Sequence, residues 1–188
     1  LKPTTWRGRY DVVKDKINQG FTLVELMVTL AVAAIILAIA APSFSQMIRD
    51  HRLITTANDF MGTMQLARSE AIRRGIQVTM LPITNGDWSS GWNVFTDWDA
   101  DESLGDVGAV CAENQDCFLS QQNALDSVTS VAAGNTGSGF RFMPTGEILS
   151  TLGFPNGNIT FCSTGSNERI ITVNQSGSSR ISIGNVCP

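Results

Sequence analysis

The segment GFTLVEL, residues 20–26, contains the residues whose types and spacing most clearly suggest chemistry. Glu25 lies near the start of a run, residues 21–41, that is otherwise almost wholly apolar. A carboxylate inside a bilayer costs on the order of 3 kcal/mol, so it is expected to have a partner and a function. Cleavage between Gly20 and Phe21 would free a positive α-amino group close to Glu25. The spacing therefore predicts that this amine and the carboxylate pair.

The apolar run allows three interpretations. In the first, it is a plain membrane anchor that tolerates Glu25. In the second, it is a secretory signal that is removed at the A-x-A site of residues 38–41. In the third, the chain is cut before Phe21 and the run stays as the N-terminus of the mature chain. The third explains most, because Glu25 of one subunit would neutralise the free amine of the next in an array of packed helices. We therefore favour cleavage, with the run kept as an assembly helix.

Four cysteines, all in the C-terminal half, predict disulfides. Their spacings are not those of zinc sites, and free thiols remain the other alternative. Of the three connectivities that four cysteines allow, we favour Cys111–Cys117 with Cys162–Cys187. Disulfides indicate an oxidising compartment, here the periplasm or beyond.

An acidic segment, DWDADE, places Asp97, Asp99 and Asp101 at alternate positions, as a calcium loop does. The EF-hand template is only half filled, because Glu102 stands at its glycine position and Gly108 at its twelfth position. We predict a solvated acidic turn, and neither a metal site nor a cofactor.

Catalysis has less support in the sequence. His51 is the only histidine, so no second one completes a metal site or a catalytic triad, and no G-x-S-x-G element is present. We predict that the protein is not an enzyme and that His51 is a surface or packing residue.

One long helix, residues 21–74, is predicted to position the N-terminal motif. Its first half is apolar all round, as in a membrane span, and Pro42 is expected to kink or loosen it. Residues 1–20 hold five basic and two acidic side chains, which favours keeping that end in the cytoplasm. The second half is amphipathic, with a stripe made of Leu53, Ala57, Phe60, Met64, Ala67 and Ala71.

After Gly75, a predicted helix stop, the pattern changes to the period of two typical of strands. We predict turns at residues 144–146 and 175–177. The fold class is α+β: a long N-terminal helix packed on an antiparallel sheet or small β-sandwich. The predicted strands are residues 76–83, 91–97, 118–122, 127–132, 140–149, 159–162, 169–174 and 179–183.

Charge is distributed unevenly along the chain. Residues 21–188 contain eight Arg, no Lys and fifteen acidic residues, a net charge of −7. Broad nucleic-acid binding needs a basic face, so this composition argues against it.

The sequence GFTLVEL followed by a long apolar helix resembles the class III signal of type IV pilins and type II secretion pseudopilins. The match lies at Gly20, Phe21, Thr22, Leu23, Glu25 and Leu26. The segments LARSEAIRRG (66–75) and GWNVFTDWDADES (91–103) are similar to the GspH/FimT family of FimT- or FimU-type minor pilins and GspH-type pseudopilins. The resemblance implies the pilin fold.

The resemblance also implies roles for particular residues. A prepilin peptidase would cut between Gly20 and Phe21 and N-methylate Phe21, Glu25 would act in assembly, and Pro42 falls where pilins carry a helix-loosening proline. The expected organisation is a leader (1–20), a transmembrane and assembly helix (21–44), and a periplasmic globular domain (45–188) that includes the amphipathic helix 45–74.

We therefore expect a minor type IV pilin that is held in the inner membrane with its C-terminal domain in the periplasm. It would then be assembled into the pilus, near the tip, for pilus biogenesis, twitching motility or adhesion. Its expected partners are other pilins, the peptidase and the inner-membrane assembly platform. The first alternative is a type II secretion pseudopilin.

A DNA-binding competence pilin is the second alternative. Some FimT proteins bind DNA through a C-terminal G-R-x-R element, and the corresponding stretch here is GSSR, residues 177–180. Arg180 matches this element, but Ser178 replaces its first arginine. The other interpretation of the stretch is an edge hairpin on which Arg180 faces water.

Overall fold

The computed structural model describes residues 20–105, 115–126, 128–133, 136, 138–150 and 157–188. Over these residues the chain forms one long helix, α1 (Leu23–Arg74), followed by nine strands. The predicted order of helix and strands, and the α+β class, are confirmed. The strands are β1 (Val78–Thr84), β2 (Asp87–Thr96), β3 (Cys117–Gln122), β4 (Thr129–Ala133), β5 (Phe140–Phe142), β6 (Ile148–Ser150), β7 (Gly157–Cys162), β8 (Asn167–Val173) and β9 (Ser179–Val186).

The chain divides into two compact units between Ala41 and Pro42. In the first unit, residues 23–40 of α1 are exposed along their whole length, and Glu25 and Thr29 are their only non-apolar side chains. By length and composition, α1 contains a segment that is long and apolar enough to cross a membrane. A helix that is apolar all round needs lipid or a protein partner around it.

In the second unit, the amphipathic part of α1 is buried along the predicted stripe. All six stripe residues are at most 2% exposed. The helix ends before Gly75, which has a left-handed φ of 69° and donates its N–H to the carbonyl of Ala71 at 2.9 Å. In the last turn, hydrogen bonds from Arg73 and Arg74 lower the pKa of Glu70. Both the buried stripe and the helix stop were predicted correctly.

The strands form two antiparallel sheets. One has the order β3-β2-β1-β5-β6, and the other has the order β4-β7-β8-β9. Both predicted turns are confirmed, since Gly146 N–H donates to the Met143 carbonyl at 2.8 Å and Gly177 N–H donates to the Asn174 carbonyl at 3.0 Å. The first turn splits the predicted strand 140–149 into β5 and β6.

An aromatic cluster attaches α1 to both sheets. The ring of Phe60, in the middle of the helix stripe, lies edge-on to Trp88 and Trp92 of β2, with centroids 5.0 Å apart in each case. On the other side its ring packs against Phe161 of β7, with the two ring centroids 5.4 Å apart. One helical side chain therefore touches both sheets, and its burial contributes strongly to their packing.

Strand β2 begins at Asp87, four residues before the predicted start at Gly91. The sequence DWSSG has the composition of a loop, but Trp88 is fully buried and its indole Nε1–H donates to the Thr136 carbonyl at 2.9 Å. Asp87 accepts hydrogen bonds from Ser89 and from Ser130 of β4. Tertiary packing between the two sheets therefore extends the strand beyond what local propensity predicts.

Candidate functional site

The predicted cleavage site lies just outside the helix. Gly20 and Phe21 are exposed and have no regular secondary structure, and α1 begins at Leu23 instead of at Phe21. The helix begins there because Thr22 acts as its N-cap, with its Oγ1 accepting the backbone N–H of Glu25 at 3.2 Å. Gly20 and Phe21 therefore lie outside the regular helix, and cleavage between them stays a prediction.

Glu25 occupies the first turn of α1 and is exposed. A carboxylate at this position interacts favourably with the positive end of the helix dipole, an effect of about 0.3–1 kcal/mol in water. Thr22 and Glu25 also have the T-x-x-E spacing of a capping box. Glu25 thus helps to start the helix, and its exposed carboxylate can pair with a positive group outside it.

Pro42 falls within α1, at the first residue of the second compact unit. Its side chain lies outside the described part of the structure. The expected loosening of the helix at Pro42 stays a prediction.

All three cysteines in the described part of the chain are disulfide-bonded. Cys162, at the end of β7, is bonded to Cys187, which follows β9, as the favoured connectivity predicts. Cys117 is also disulfide-bonded, whereas its predicted partner Cys111 lies outside the described residues. The Cys162–Cys187 bond fixes the C-terminal end of the chain to the four-stranded sheet.

The acidic segment is organised around Asp97, which is 1% exposed. Its carboxylate accepts hydrogen bonds from Gln77 Nε2 at 2.9 Å and Thr79 Oγ1 at 2.8 Å. It also accepts the backbone N–H groups of Asp101 at 3.1 Å and Glu102 at 3.3 Å. Three of these donors bond to Oδ2, whereas Oδ1 accepts only the N–H of Asp101. Asp97 therefore serves to fold the loop back on β1.

The acidic residues do not group as the alternating pattern suggests. Carboxylate oxygens of Asp97, Asp99 and Asp116 lie within 4.8 Å of one another. Asp101 instead accepts the N–H and the hydroxyl of Ser103, and these hydrogen bonds lower its pKa. The hydrogen bonds around Asp97 are those of a folded acidic turn, and the oxygens of Asp97, Asp99 and Asp116 are also close enough to hold a metal ion.

The β8–β9 hairpin, which contains the GSSR stretch, is held by the helix. Arg68 of α1 donates through Nη2 to the carbonyl of Ser176 at 3.1 Å. Gly177 has a φ of 81°, and a Cβ at this position would lie 2.3 Å from the carbonyl oxygen of Gly146. The glycine of the stretch is thus required by the close approach of two turns and of Arg68.

Arg180 lies in β9 opposite Thr172 and is exposed. Ser178, at the position of the missing arginine, lies within hydrogen-bonding distance of the side chains of Asn174 and Ser176. The hairpin therefore presents Arg180 to solvent next to polar, uncharged groups. This arrangement agrees with the interpretation of an edge hairpin.

His51 is exposed on α1 and lines a surface groove with Phe44 and Met47. It is a surface residue, as predicted. The sequence interpretation did not single out Asp116 or Arg68, whose roles arise from packing between distant segments. The capping role of Thr22 was readable from the T-x-x-E spacing.

Two protein-family models match the chain. The model described as type II transport protein GspH matches residues 56–177, which is more than half of the chain, and the model of the prokaryotic N-terminal methylation motif matches residues 15–41. The chain belongs to the GspH family. The second match covers the predicted signal and the apolar run, and the resemblance to GspH/FimT-type pilins is confirmed.

Two solved structures are similar to this GspH-family chain. The type IV minor pilin FimU of Pseudomonas aeruginosa is 17% identical with a TM-score of 0.51, over 72% of this chain and 100% of that one. The minor pseudopilin EpsH of the Vibrio cholerae type II secretion system is 12% identical with a TM-score of 0.48, over 70% of this chain and 97% of that one. No curated relative matches the chain. The FimU similarity shows the pilin fold.

Family membership establishes the general class of the protein. GspH-family members are structural pilins or pseudopilins and not enzymes, and they assemble with other pilin-type subunits. The N-terminal motif and the exposed apolar helix indicate membrane anchoring and a place in a pilus or pseudopilus.

Proposed function

We propose that this chain is a minor type IV pilin, a structural subunit that is matured by prepilin peptidase and assembled near the tip of a pilus. One observation carries the proposal: the exposed helix has a single carboxylate, Glu25, in its first turn, and the Gly20–Phe21 bond lies just before it in a non-helical segment. A signal of this kind on a pilin-fold body suits a subunit that leaves the membrane to enter a filament.

The proposed maturation assigns a role to each part of the chain. Residues 1–20 are the leader, 21–44 the transmembrane and assembly helix, and 45–188 the periplasmic domain. Cleavage after Gly20 frees the amine of Phe21, which the peptidase then methylates. Before assembly the chain is held in the inner membrane, and the assembly platform draws it into the pilus. The Cys162–Cys187 disulfide agrees with a periplasmic location, since disulfides persist in oxidising compartments.

Glu25 then acts as the group that selects a packed neighbour. In lipid its charge is costly, whereas beside the Phe21 amine of the next subunit both charges are compensated. Assembly therefore removes a penalty that the lone helix carries in the membrane.

Mass spectrometry of the mature N-terminus tests the maturation step. We expect a chain that begins at N-methylated Phe21. A chain that begins at Ala41, or one that is never cut, would contradict the proposal.

Replacement of Glu25 tests the assembly step. Glu25→Ala should leave membrane insertion intact but reduce incorporation into sheared pili by at least about tenfold, the effect of losing about 1.4 kcal/mol of interaction. Thr29→Ala is the matched control, because Thr29 is the other polar residue of the run and bonds only within its helix, to the Leu26 carbonyl. Equal incorporation of both variants would refute the pairing of charges.

A pseudopilin of a type II secretion system is the second candidate, and the description of the matching family model favours it. The two candidates separate in a strain that lacks this chain. Loss of surface pili with normal protein secretion supports the pilin, and the reverse result supports the pseudopilin.

A competence role in DNA uptake is disfavoured by the net charge of −7 and by Ser178. The soluble fragment 42–188 should give no gel shift with DNA at low salt. A shift that Arg180→Ala abolishes would reinstate that role.

A further inference from the structure

The last strand, β9, forms an open edge of the four-stranded sheet. It stands at the end of the order β4-β7-β8-β9, so it pairs with β8 on one side, and no strand in the described part of the chain lies on its other side. In an antiparallel strand, about half of the backbone N–H and C=O groups point to each side. The outer side of β9 therefore presents a row of backbone groups that can pair with another strand.

Strand β9 has few of the features that normally prevent such pairing. Edge strands are commonly short, interrupted by proline or a bulge, or rich in charged side chains. The sequence of β9, SRISIGNV, has eight residues, no proline and one charged side chain, Arg180. Residues 179–183 pair with β8 in a regular register, and the register shift lies beyond them, between Asn167 and Arg169 of β8. The regular part of this edge is thus open to an added strand.

A groove separates this edge from helix α1. It lies within the second unit and has a volume of about 370 Å³. One wall consists of Ile54, Ala57 and Asn58, which have the i, i+3, i+4 spacing of a single side of a helix. The other wall consists of Ile181 and Ile183 of β9, and Ile183 is 65% exposed. We call it the α1–β9 groove. Every second side chain of a strand added to β9 would point towards it.

Arg169 of β8 is the one charged residue among the described residues that line the α1–β9 groove. It lies directly opposite both Phe161 and Ile183, and directly opposed side chains share one face of a sheet. Arg169 is therefore on the face that packs against α1. Its Nε is buried and has no hydrogen-bond partner in the described part of the structure. A buried donor without a partner is destabilising, so this one points to an acceptor from outside the chain.

We propose that the α1–β9 groove binds an extended segment of a different protein, which adds to β9 as a further strand and carries a carboxylate that pairs with Arg169. In strand addition the backbone hydrogen bonds supply affinity, and pockets for alternate side chains supply specificity. Apolar side chains of the segment pack against Ile181 and Ile183, and the carboxylate compensates the guanidinium. The proposal does not rest on the proposed function, because every residue that carries it belongs to the second unit.

The charges of the groove disfavour a second copy of this chain as the occupant. A two-fold dimer through this edge would pair β9 with β9, because such an interface uses the same surface of both copies. No acidic residue occurs in residues 179–186, so the Nε of Arg169 would stay unpaired in both copies. The carboxylate must therefore come from another protein.

Peptide binding to the detergent-solubilised full-length chain, measured by calorimetry, tests the proposal. The probe is the peptide VTETVTV, which presents its Glu and its Val side chains on one face of a strand, and the control is VTKTVTV. We expect the Glu peptide to bind at least about tenfold more tightly than the Lys peptide. Equal affinities, or no binding of either peptide, would overturn the proposal.

Substitutions show whether Arg169 is the source of this preference. Arg169→Gln should abolish it, whereas Arg169→Lys should retain it, because the positive charge remains. Arg180→Gln is the matched control: Arg180 is opposite Thr172 and alternates with Ile181, so it points away from the groove. Circular dichroism checks that each variant is folded. A preference that survives Arg169→Gln, or that Arg180→Gln removes, would contradict the assignment.

N-methylation of the Glu peptide tests strand addition itself. One alternate set of its amides would face β9, and the other set would face away from it. We expect methylation of one set to abolish binding and methylation of the other set to leave it unchanged. Equal effects of the two sets would refute pairing with the β9 edge.

Photocrosslinking in the host membrane identifies the source of the segment. p-Benzoylphenylalanine replaces Ile183 in the full-length chain, and Leu66 is the control position because it is exposed on α1 and does not line the groove. We expect the Ile183 probe to react with an acidic segment of another protein, at a yield at least about tenfold above that of the Leu66 probe, and Arg169→Gln to remove this difference. A crosslinked peptide that belongs to this chain, or one that contains no acidic residue, would overturn the proposal.

Discussion

Replacement of Phe60 by Ala tests whether the helix is attached to both sheets by this one side chain. Phe60 is fully buried and touches Trp88, Trp92 and Phe161. Deleting a buried Phe side chain costs about 3–5 kcal/mol, because its transfer energy is lost and a cavity remains. The three aromatic contacts place Phe60 in the upper part of that range, so we expect a loss of about 4 kcal/mol.

A loss of this size is a large part of the 5–15 kcal/mol that typically stabilises a domain. For a domain of this size it corresponds to a fall in Tm on the order of 10 °C. Urea unfolding of the soluble fragment 42–188, followed by tryptophan fluorescence, measures it directly, since Trp88 and Trp92 lie against the removed ring.

Leu66→Ala is the matched control for Phe60→Ala, because Leu66 is 40% exposed on the same helix. Substitutions at exposed positions usually change stability by less than about 0.5 kcal/mol. A loss below about 1.5 kcal/mol for Phe60→Ala, with an unchanged m-value, would refute the idea that this ring joins the helix to the two sheets.

Three further predictions concern the same soluble fragment. Hydrogen bonds from Ser89 lower the pKa of Asp87 in the folded protein. The ionised carboxylate therefore stabilises the fold fully above its unfolded pKa, about 4, and this stabilisation is lost as pH falls through the folded value. Asp87→Asn should cost about 1–2 kcal/mol at pH 7, and urea titrations should show a smaller difference at acidic pH. Replacing both Cys162 and Cys187 by Ser should cost about 3 kcal/mol in the same titration, given their separation of 25 residues; an unchanged midpoint would contradict this. Gly177→Ala should destabilise more than Gly165→Ala in thermal melts: both glycines have a positive φ, but a Cβ at Gly165 meets nothing within 4 Å. Equal losses would show that the close approach at Gly177 is relaxed at no cost.

Much of the fold could be predicted from the sequence because its periodic signals are strong and local. The stripe from Leu53 to Ala71 sets the buried face of α1, and the left-handed Gly75 sets its end. The turn residues at 144–146 and 175–177 predicted the positions of two hairpins, since glycine supplies the positive φ that these turns require. In each case one short segment contains the whole signal.

The remaining features depend on contacts between distant segments. Strand β2 starts early because Trp88 packs in the core and donates to the carbonyl of Thr136, 48 residues away. Asp116 joins Asp97 and Asp99, whereas Asp101 turns to its own neighbour Ser103. Asp101 lies outside this group, because the backbone folds round Asp97 with left-handed Ala100 and Glu102 and so breaks the period of two.

The same reasoning explains why GSSR is a weak indicator of DNA binding in this chain. Gly177 is needed because two turns approach Arg68 there, and the serines on either side bond within the hairpin. The fold therefore accounts for Gly177 and Ser178 of this stretch without any ligand. One exposed guanidinium in this stretch supplies too little attraction for a phosphate backbone, because residues 21–188 have a net charge of −7. In contrast, the uncharged stretch from Leu26 to Ile48 contributes no side chain to the core, so it needs lipid or a protein partner around it.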